Sequence, residues 1–159
     1  MLFRSVLSAG LSAADEPVAR ALGLRPGDLV VDLNRIRLAD GSPIVVEHAR
    51  FPADRFLGLL ELPLGGSVYE LLQEHFGTRP ATAVERIEVT LATADEAAVL
   101  DVKPDAALLA ITRTASDADG DPIEYAHDLF RGDRTRLVVR SGDGGSGRAQ
   151  VVELRKAAG

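Results

Sequence analysis

Asp32-Leu33-Asn34-Arg35-Ile36-Arg37-Leu38-Ala39-Asp40-Gly41-Ser42-Pro43-Ile44-Val45-Val46-Glu47-His48 is the stretch from which the fold can be read. It reads as two strands around a tight turn at Asp40-Gly41, because glycine accepts positive φ and aspartate tolerates it. Residues two apart on a strand share a face, so Arg35 and Arg37 point the same way. Leu29, Val31 and Leu33 have the same parity, which puts two guanidiniums at the end of a face that begins as core. A buried arginine needs a partner. Glu47 on the returning strand could supply it, or a ligand anion could.

Outward from this hairpin the chain repeats itself. On the N-terminal side, residues 3–13 suit a strand, Asp15-Glu16 opens a helical run from Pro17 to Leu22 that Gly23 closes, and Pro26-Gly27-Asp28 is a turn. The same order returns later. Asp95-Glu96 opens a helical run to Leu100, Pro104-Asp105 turns, a strand runs from Ala107 to Arg113, Asp119-Gly120 turns, and Pro122 to His127 returns. Pro26 maps to Pro104 and Arg35 to Arg113, both 78 residues on. Asp40-Gly41, Pro43, His48, Phe51 and Asp54-Arg55 map to Asp119-Gly120, Pro122, His127, Phe130 and Asp133-Arg134, all 79 on. An ordered series of this kind is the signature of an internal duplication. Each half reads strand, short helix, hairpin. The expected class is α+β, an antiparallel sheet flanked by helices.

The segment between the halves has no counterpart. Residues 54–60 are expected to form a short helix. Gly65-Gly66-Ser67 leads into a helix from Val68 to Phe76, with Ser67 and Glu70 as a capping box and Gly77 as the stop. Thr82 to Ala92 reads as a strand with Ala83, Ile87, Val89 and Leu91 on its apolar face. Residues 1–140 are assigned to one domain, and 141–159 to a glycine-rich flexible loop and a tail with a candidate edge strand at Val151–Leu154.

Composition narrows the function classes. The chain has 159 residues, 46% of them hydrophobic, enough for one domain with a real core. Its net charge of −6 argues against gripping nucleic acid directly. With no cysteine, thiolate metal sites and cysteine nucleophiles are excluded, and a reducing cytoplasm is the simplest setting. No apolar run approaches the ~20 residues that a membrane helix needs. His48, His75 and His127 lack zinc-site spacing, so no metal or cofactor is expected.

Two elements suit an anion. Paired guanidiniums at Arg35 and Arg37 fork onto phosphate or carboxylate. The glycine-flanked helix start at Ser67 offers free N–H groups and a favourable dipole. Glu47 and Glu124 lie on equivalent faces of their strands and suit polar contacts to a ligand, and Tyr69 can place a hydroxyl nearby. Paired carboxylates also permit general acid–base work, although no nucleophile, metal or companion base accompanies them.

These motifs, in this order, resemble the UTRA domain, the effector-binding domain of HutC-subfamily regulators in the GntR class. The resemblance rests on Arg35-Ile36-Arg37, Asp40-Gly41-Ser42-Pro43-Ile44, Glu47, Gly66 to Leu72, Ala94-Asp95-Glu96, Leu100, Pro122 to Tyr125 and Phe130 to Arg134. It implies a chorismate-lyase-like fold, a small and often anionic or sugar-derived effector, and a homodimer. It also implies that Arg35 and Arg37 grip the anion beside Ser67, with Glu47 and Glu124 as polar ligand contacts; Tyr69 and Phe130 are assigned to the same ligand-contacting set. Family members often carry tyrosine where this chain has Phe130, so one hydroxyl contact expected for a sugar is missing. The winged helix–turn–helix that normally precedes such a domain is absent from this sequence, so DNA binding is expected only through that missing part. An enzyme of the chorismate-lyase type on the same scaffold is the alternative.

Overall fold

A computed structural model describes residues 2–140 and 151–154. Six antiparallel strands form the main sheet: β1 (Leu2–Ala13), β2 (Leu29–Ala39), β3 (Ser42–Pro52), β4 (Thr82–Leu91), β5 (Ala107–Ser116) and β6 (Pro122–Arg131). Their order across the sheet is β1-β2-β3-β6-β5-β4. That order is a palindrome of the two halves. At its centre His48 pairs with His127, its own counterpart in the duplication, so a pseudo-twofold axis passes between them. The Asp40-Gly41 turn takes positive φ at both residues (50° and 79°), as the two-residue hairpin requires.

Three helices cover the sheet: α1 (Glu16–Leu22), α2 (Val68–Phe76) and α3 (Ala94–Leu100). Strand alternation assigns their sides. Helix α1 packs with Val30 and Tyr125, and α3 with Val46, Leu108, Ala110 and Leu129, all on one face. Helix α2 buries Val68 and Leu72 on the opposite face against Val31, Leu33, Ala49, Phe51 and Ala126. Asp15 caps α1 by accepting from Val18 N at 3.0 Å, and Gly23 ends it in the left-handed region.

Several details depart from expectation. Residues 54–60 form turns that end in a single 3-10 turn, Leu59–Glu61. The full reciprocal capping box is made by Thr93 and Glu96 at α3, whereas at α2 the bond seen is Ser67 Oγ accepting from Glu70 N at 3.3 Å. The apolar face of β4 is open: Val89 is 73% exposed and Leu91 58%. Strand β4 is an edge, and α2 reaches only the middle of that face. Val151–Leu154 forms a strand, β8, which pairs with β7 (Thr135–Val138) in a separate two-stranded sheet. The glycine-rich stretch expected at 141–148 lies outside the described residues.

The Arg131-Gly132-Asp133 corner shows a close approach. Gly132 N donates to Ala107 O at 3.0 Å, and a Cβ on Gly132 would stand 2.6 Å from that oxygen. Its counterpart in the first half is Ala53, whose N donates to Leu29 O at 3.1 Å.

Candidate functional site

The hairpin register places Arg35 directly opposite Glu47, and Glu47 opposite Asp128 on β6. Arg4 on β1 stands opposite Arg37. Alternation along five strands therefore gathers charged side chains on one face, beneath the start of α2. A cavity of about 190 Å³ lies there, lined by Arg35, Arg37, Glu47, Ser67, Tyr69 and Glu124, and also by Arg4, Arg113 and Asp128. The expected convergence of both arginines with the Ser67 helix start is thus present.

Glu47 is the hub. Its carboxylate is shared by Arg4 at 3.3 Å, Arg35 at 3.0 Å and Arg37. Burial alone would raise the Glu47 pKa, but Arg37, Arg35 and Arg4 together hold it below the usual carboxylate range. Glu47 alone does not neutralise three guanidiniums; Asp128 and Glu124 are the other carboxylates that line the cavity, and burial raises both.

The two strand arginines are not equivalent. Arg35 also donates to Leu64 O at 3.1 Å and to Gly66 O at 2.7 Å, clasping the loop that leads into α2. Arg37 bonds Glu47, and its buried Nε has no hydrogen-bond partner among the described residues. Arg35 is therefore chiefly a clamp, and Arg37 is the guanidinium with capacity left for a guest. Gly65 and Gly66 border open space, since a Cβ at either would meet nothing within 4 Å.

The far wall joins α2 to the second half. Tyr69 donates a hydrogen bond to Glu124 Oε1, and Arg113 lies 5.5 Å over the Tyr69 ring. Burial and the neighbouring Glu124 carboxylate push the Tyr69 hydroxyl pKa up, so it stays a donor. Burial also raises Glu124, against the pull of Tyr69 and Arg113. Asp128 is pushed up to about 7 by burial and then by Glu47 and Glu124. Arg113 is held by Glu85 at 3.1 Å.

Phe130 is not part of the lining. It packs with Ile44, Val45 and Ile111 in an apolar cluster at the end of the same face. Three charged lining residues were not singled out from sequence. Arg113 is the duplicate of Arg35, and Asp128 has the strand parity of Glu124, so both carried a usable signal. Arg4 carried none without the β1–β2 register. Among the described residues, no cluster of His, Asp and Glu is arranged to hold a metal ion. None of their helices is long and apolar enough to cross a membrane.

Comparison with known proteins agrees with this geometry. The UTRA domain family model matches residues 4–136. The chain is 33% identical over 127 residues to the HTH-type transcriptional repressor PhnF of Mycolicibacterium smegmatis, covering 79% of this chain and 52% of that protein. It is 28% identical over 123 residues to the repressor NagR of Bacillus subtilis, covering 77% and 51%. It thus spans about half the length of these curated relatives. Among solved structures, the C-terminal domain of Yurk from Bacillus subtilis superposes with a TM-score of 0.81 at 28% identity, covering 86% of this chain and 94% of that one. The effector domain of PhnF from Mycobacterium smegmatis gives 0.80 at 30%, covering 84% and 83%. Family match, relatives and fold converge: the chain belongs to the UTRA domain family, the effector-binding domains of GntR-family transcription regulators.

Proposed function

We propose that this domain senses a small anionic effector for a transcription repressor, and that the effector's negative group seats between Arg37 and the first turn of α2. The observation that carries this reading is the shared carboxylate. Three guanidiniums converge on Glu47 at the wall of a cavity, and an anion there completes the charge balance. Burial that favours the protonated forms of Glu124 and Asp128 reduces the opposing charge. A sugar phosphate, an amino acid or an organic acid has the required group. Glu124 and the Tyr69 oxygen, whose own proton is given to Glu124, supply acceptors for its polar remainder.

In an intact regulator, two such domains pair and carry winged helices, and the effector shifts the balance between arrangements of the pair. Such coupling requires unequal affinity for the two states. The exposed apolar residues on both edge strands, Val6 and Leu11 on β1 with Val89 and Leu91 on β4, provide surface for pairing.

A thermal-shift screen of phosphosugars, amino acids and organic acids tests the site, because a ligand that binds only the folded state raises its stability. Effectors found with the unaltered chain are expected to lose at least about tenfold in affinity with Arg37→Ala, the effect of losing a charge-assisted contact. A folded Arg37→Ala protein with full affinity overturns the assignment.

A further inference from the structure

The face opposite the arginine cavity carries a second polar cluster, and the duplication shows that the fold does not require it. Asp32 on β2 pairs with Arg50 on β3. Their counterparts in the second half, Ala110 and Leu129, pair with each other in the same way and pack against Ala97 and Leu100 beneath α3. At the α3 end these two places are filled by hydrocarbon. At the α1 end they hold opposite charges, and a cavity of about 120 Å³ lies between them and the β1–α1 junction, lined by Ser12, Asp15, Asp32, His48 and Arg50 among others.

The two charges do not close on each other. Asp32 turns to its neighbours: Oδ2 accepts from Ser12 Oγ at 3.2 Å, and Oδ1 accepts from Asn34 Nδ2 at 3.0 Å and lies 2.9 Å from His48 Nε2. Arg50 is only 7% exposed and lies over the Tyr125 ring at 4.9 Å. Among the described residues its guanidinium has no carboxylate within 4.0 Å and no hydrogen-bond partner, and Nε is the atom shut away from solvent; Asp32 and Asp15 act on it at longer range. Opposite charges facing each other across two strands ordinarily pair, and a guanidinium buried without a partner is costly. Arg50 is thus a buried cation lining a cavity, with hydrogen-bonding capacity that no described residue uses.

The chemistry of the wall selects the guest. Asp15 caps α1 through Oδ1 at the cavity's outer side, so one guanidinium is set among two carboxylates. Burial and the nearby Arg50 lower the His48 pKa against the pull of Asp32. A simple anion would meet both carboxylates, and a simple cation would meet the buried guanidinium. A molecule with both charges satisfies each wall. The cavity is small, about 120 Å³, and suits a small guest.

We propose that this cavity is a second ligand site, on the other face of the sheet from the arginine cavity, and that it takes a compact α-amino acid of the size of glycine or alanine. The ligand carboxylate sits on the terminal nitrogens of Arg50, and its ammonium group faces Asp32 and Asp15. This site does not depend on the effector reading given above.

The test is an amide NMR titration of the full chain at neutral pH with glycine, L-alanine, acetate and methylammonium. Glycine and alanine are expected to shift the resonances of residues 12–18, Asp32 and Arg50 saturably. Acetate and methylammonium, each offering half of the contacts, are expected to bind at least about tenfold more weakly. The double variant Asp32→Ala, Arg50→Leu copies the α3 end and is expected to fold and lose the shifts, while Arg37→Ala keeps them. Should the double variant not fold, Arg50→Lys keeps the charge without the planar fork and is expected to weaken glycine at least about tenfold. The proposal is overturned if glycine and alanine give no saturable shift, if acetate binds as well as glycine, if the double variant retains binding, or if Arg50→Lys binds glycine unchanged.

Discussion

The two halves of this domain share a backbone plan but not a chemistry. Arg35 has its duplicate in Arg113, yet Arg37 corresponds to Ala115, Glu47 to Ala126, and Val45 to Glu124. Helix α2, which roofs the arginine cavity, has no duplicate. The shared features are the ones that build strands, turns and helix ends: Asp-Gly at the hairpins, proline beside them, an acidic pair at the helix starts. The differing features line cavities. Duplication supplied the sheet, and divergence of the facing residues supplied sites on it.

Making Glu47 like its counterpart is expected to have the largest effect. Glu47→Ala leaves Arg35 and Arg37 without their carboxylate in a largely buried setting, and breaking such a cluster costs about 3–5 kcal/mol. Urea denaturation reads the loss. Added phosphate or sulfate should restore part of it in Glu47→Ala and less in the parent, because the cluster then lacks its internal anion.

Next comes the corner at which the halves differ by one methyl group. Ala53 is accommodated in the first half, but a Cβ at Gly132 would stand 2.6 Å from Ala107 O. Gly132→Ala is expected to cost about 1–3 kcal/mol through overpacking, and Ala53→Gly less, by removing a small buried methyl and loosening the unfolded chain. Equal losses for the two substitutions would show that the corners are more alike than they look.

The pH dependence sharpens the comparison further. Asp128 corresponds to Ala49 in the first half, and its pKa of about 7 is above the unfolded carboxylate value. A raised acid pKa means that the folded state binds the proton more tightly, so stability falls as pH rises from about 4 to 7. The slope is at most about 1.4 kcal/mol per pH unit for this group. Glu124, also raised, acts in the same direction, whereas Glu47, held low, contributes stability that is lost only below the usual glutamate range. Asp128→Asn is expected to flatten the decline between pH 5 and 7 in thermal melts. An unchanged slope would assign it to Glu124.

Local chemistry made most of the fold readable. The Asp40-Gly41 turn, the Asp15 cap, the Gly23 and Gly77 stops and the register of the duplication are all written in short-range preferences. The repeat register makes His48 and His127 counterparts; that they are the pair on the twofold axis comes from the β3–β6 pairing in the structure. Strand parity put Arg35 and Arg37 on one face, but only the three-dimensional structure brings the Ser67 helix start to them. What escaped depends on partners without a side-chain signature. Arg35 clasps two backbone carbonyls, and nothing in the residues Leu64 and Gly66 announces an acceptor. Alternation marked Ile87, Val89 and Leu91 as a single face but could not say whether the protein's own core covers it. The Asp32–Arg50 pair carries no signal in the sequence except beside its hydrocarbon counterparts, Ala110 and Leu129.

Arg35 has one more consequence. It ties together three segments distant in the chain: its own strand, Glu47 on the next strand, and the carbonyls of Leu64 and Gly66. A guest that draws Arg37 away from Glu47 changes the pull on that same carboxylate and hence on Arg35. Arg35 thereby links the wall of the cavity to the entrance of α2 through a single planar group.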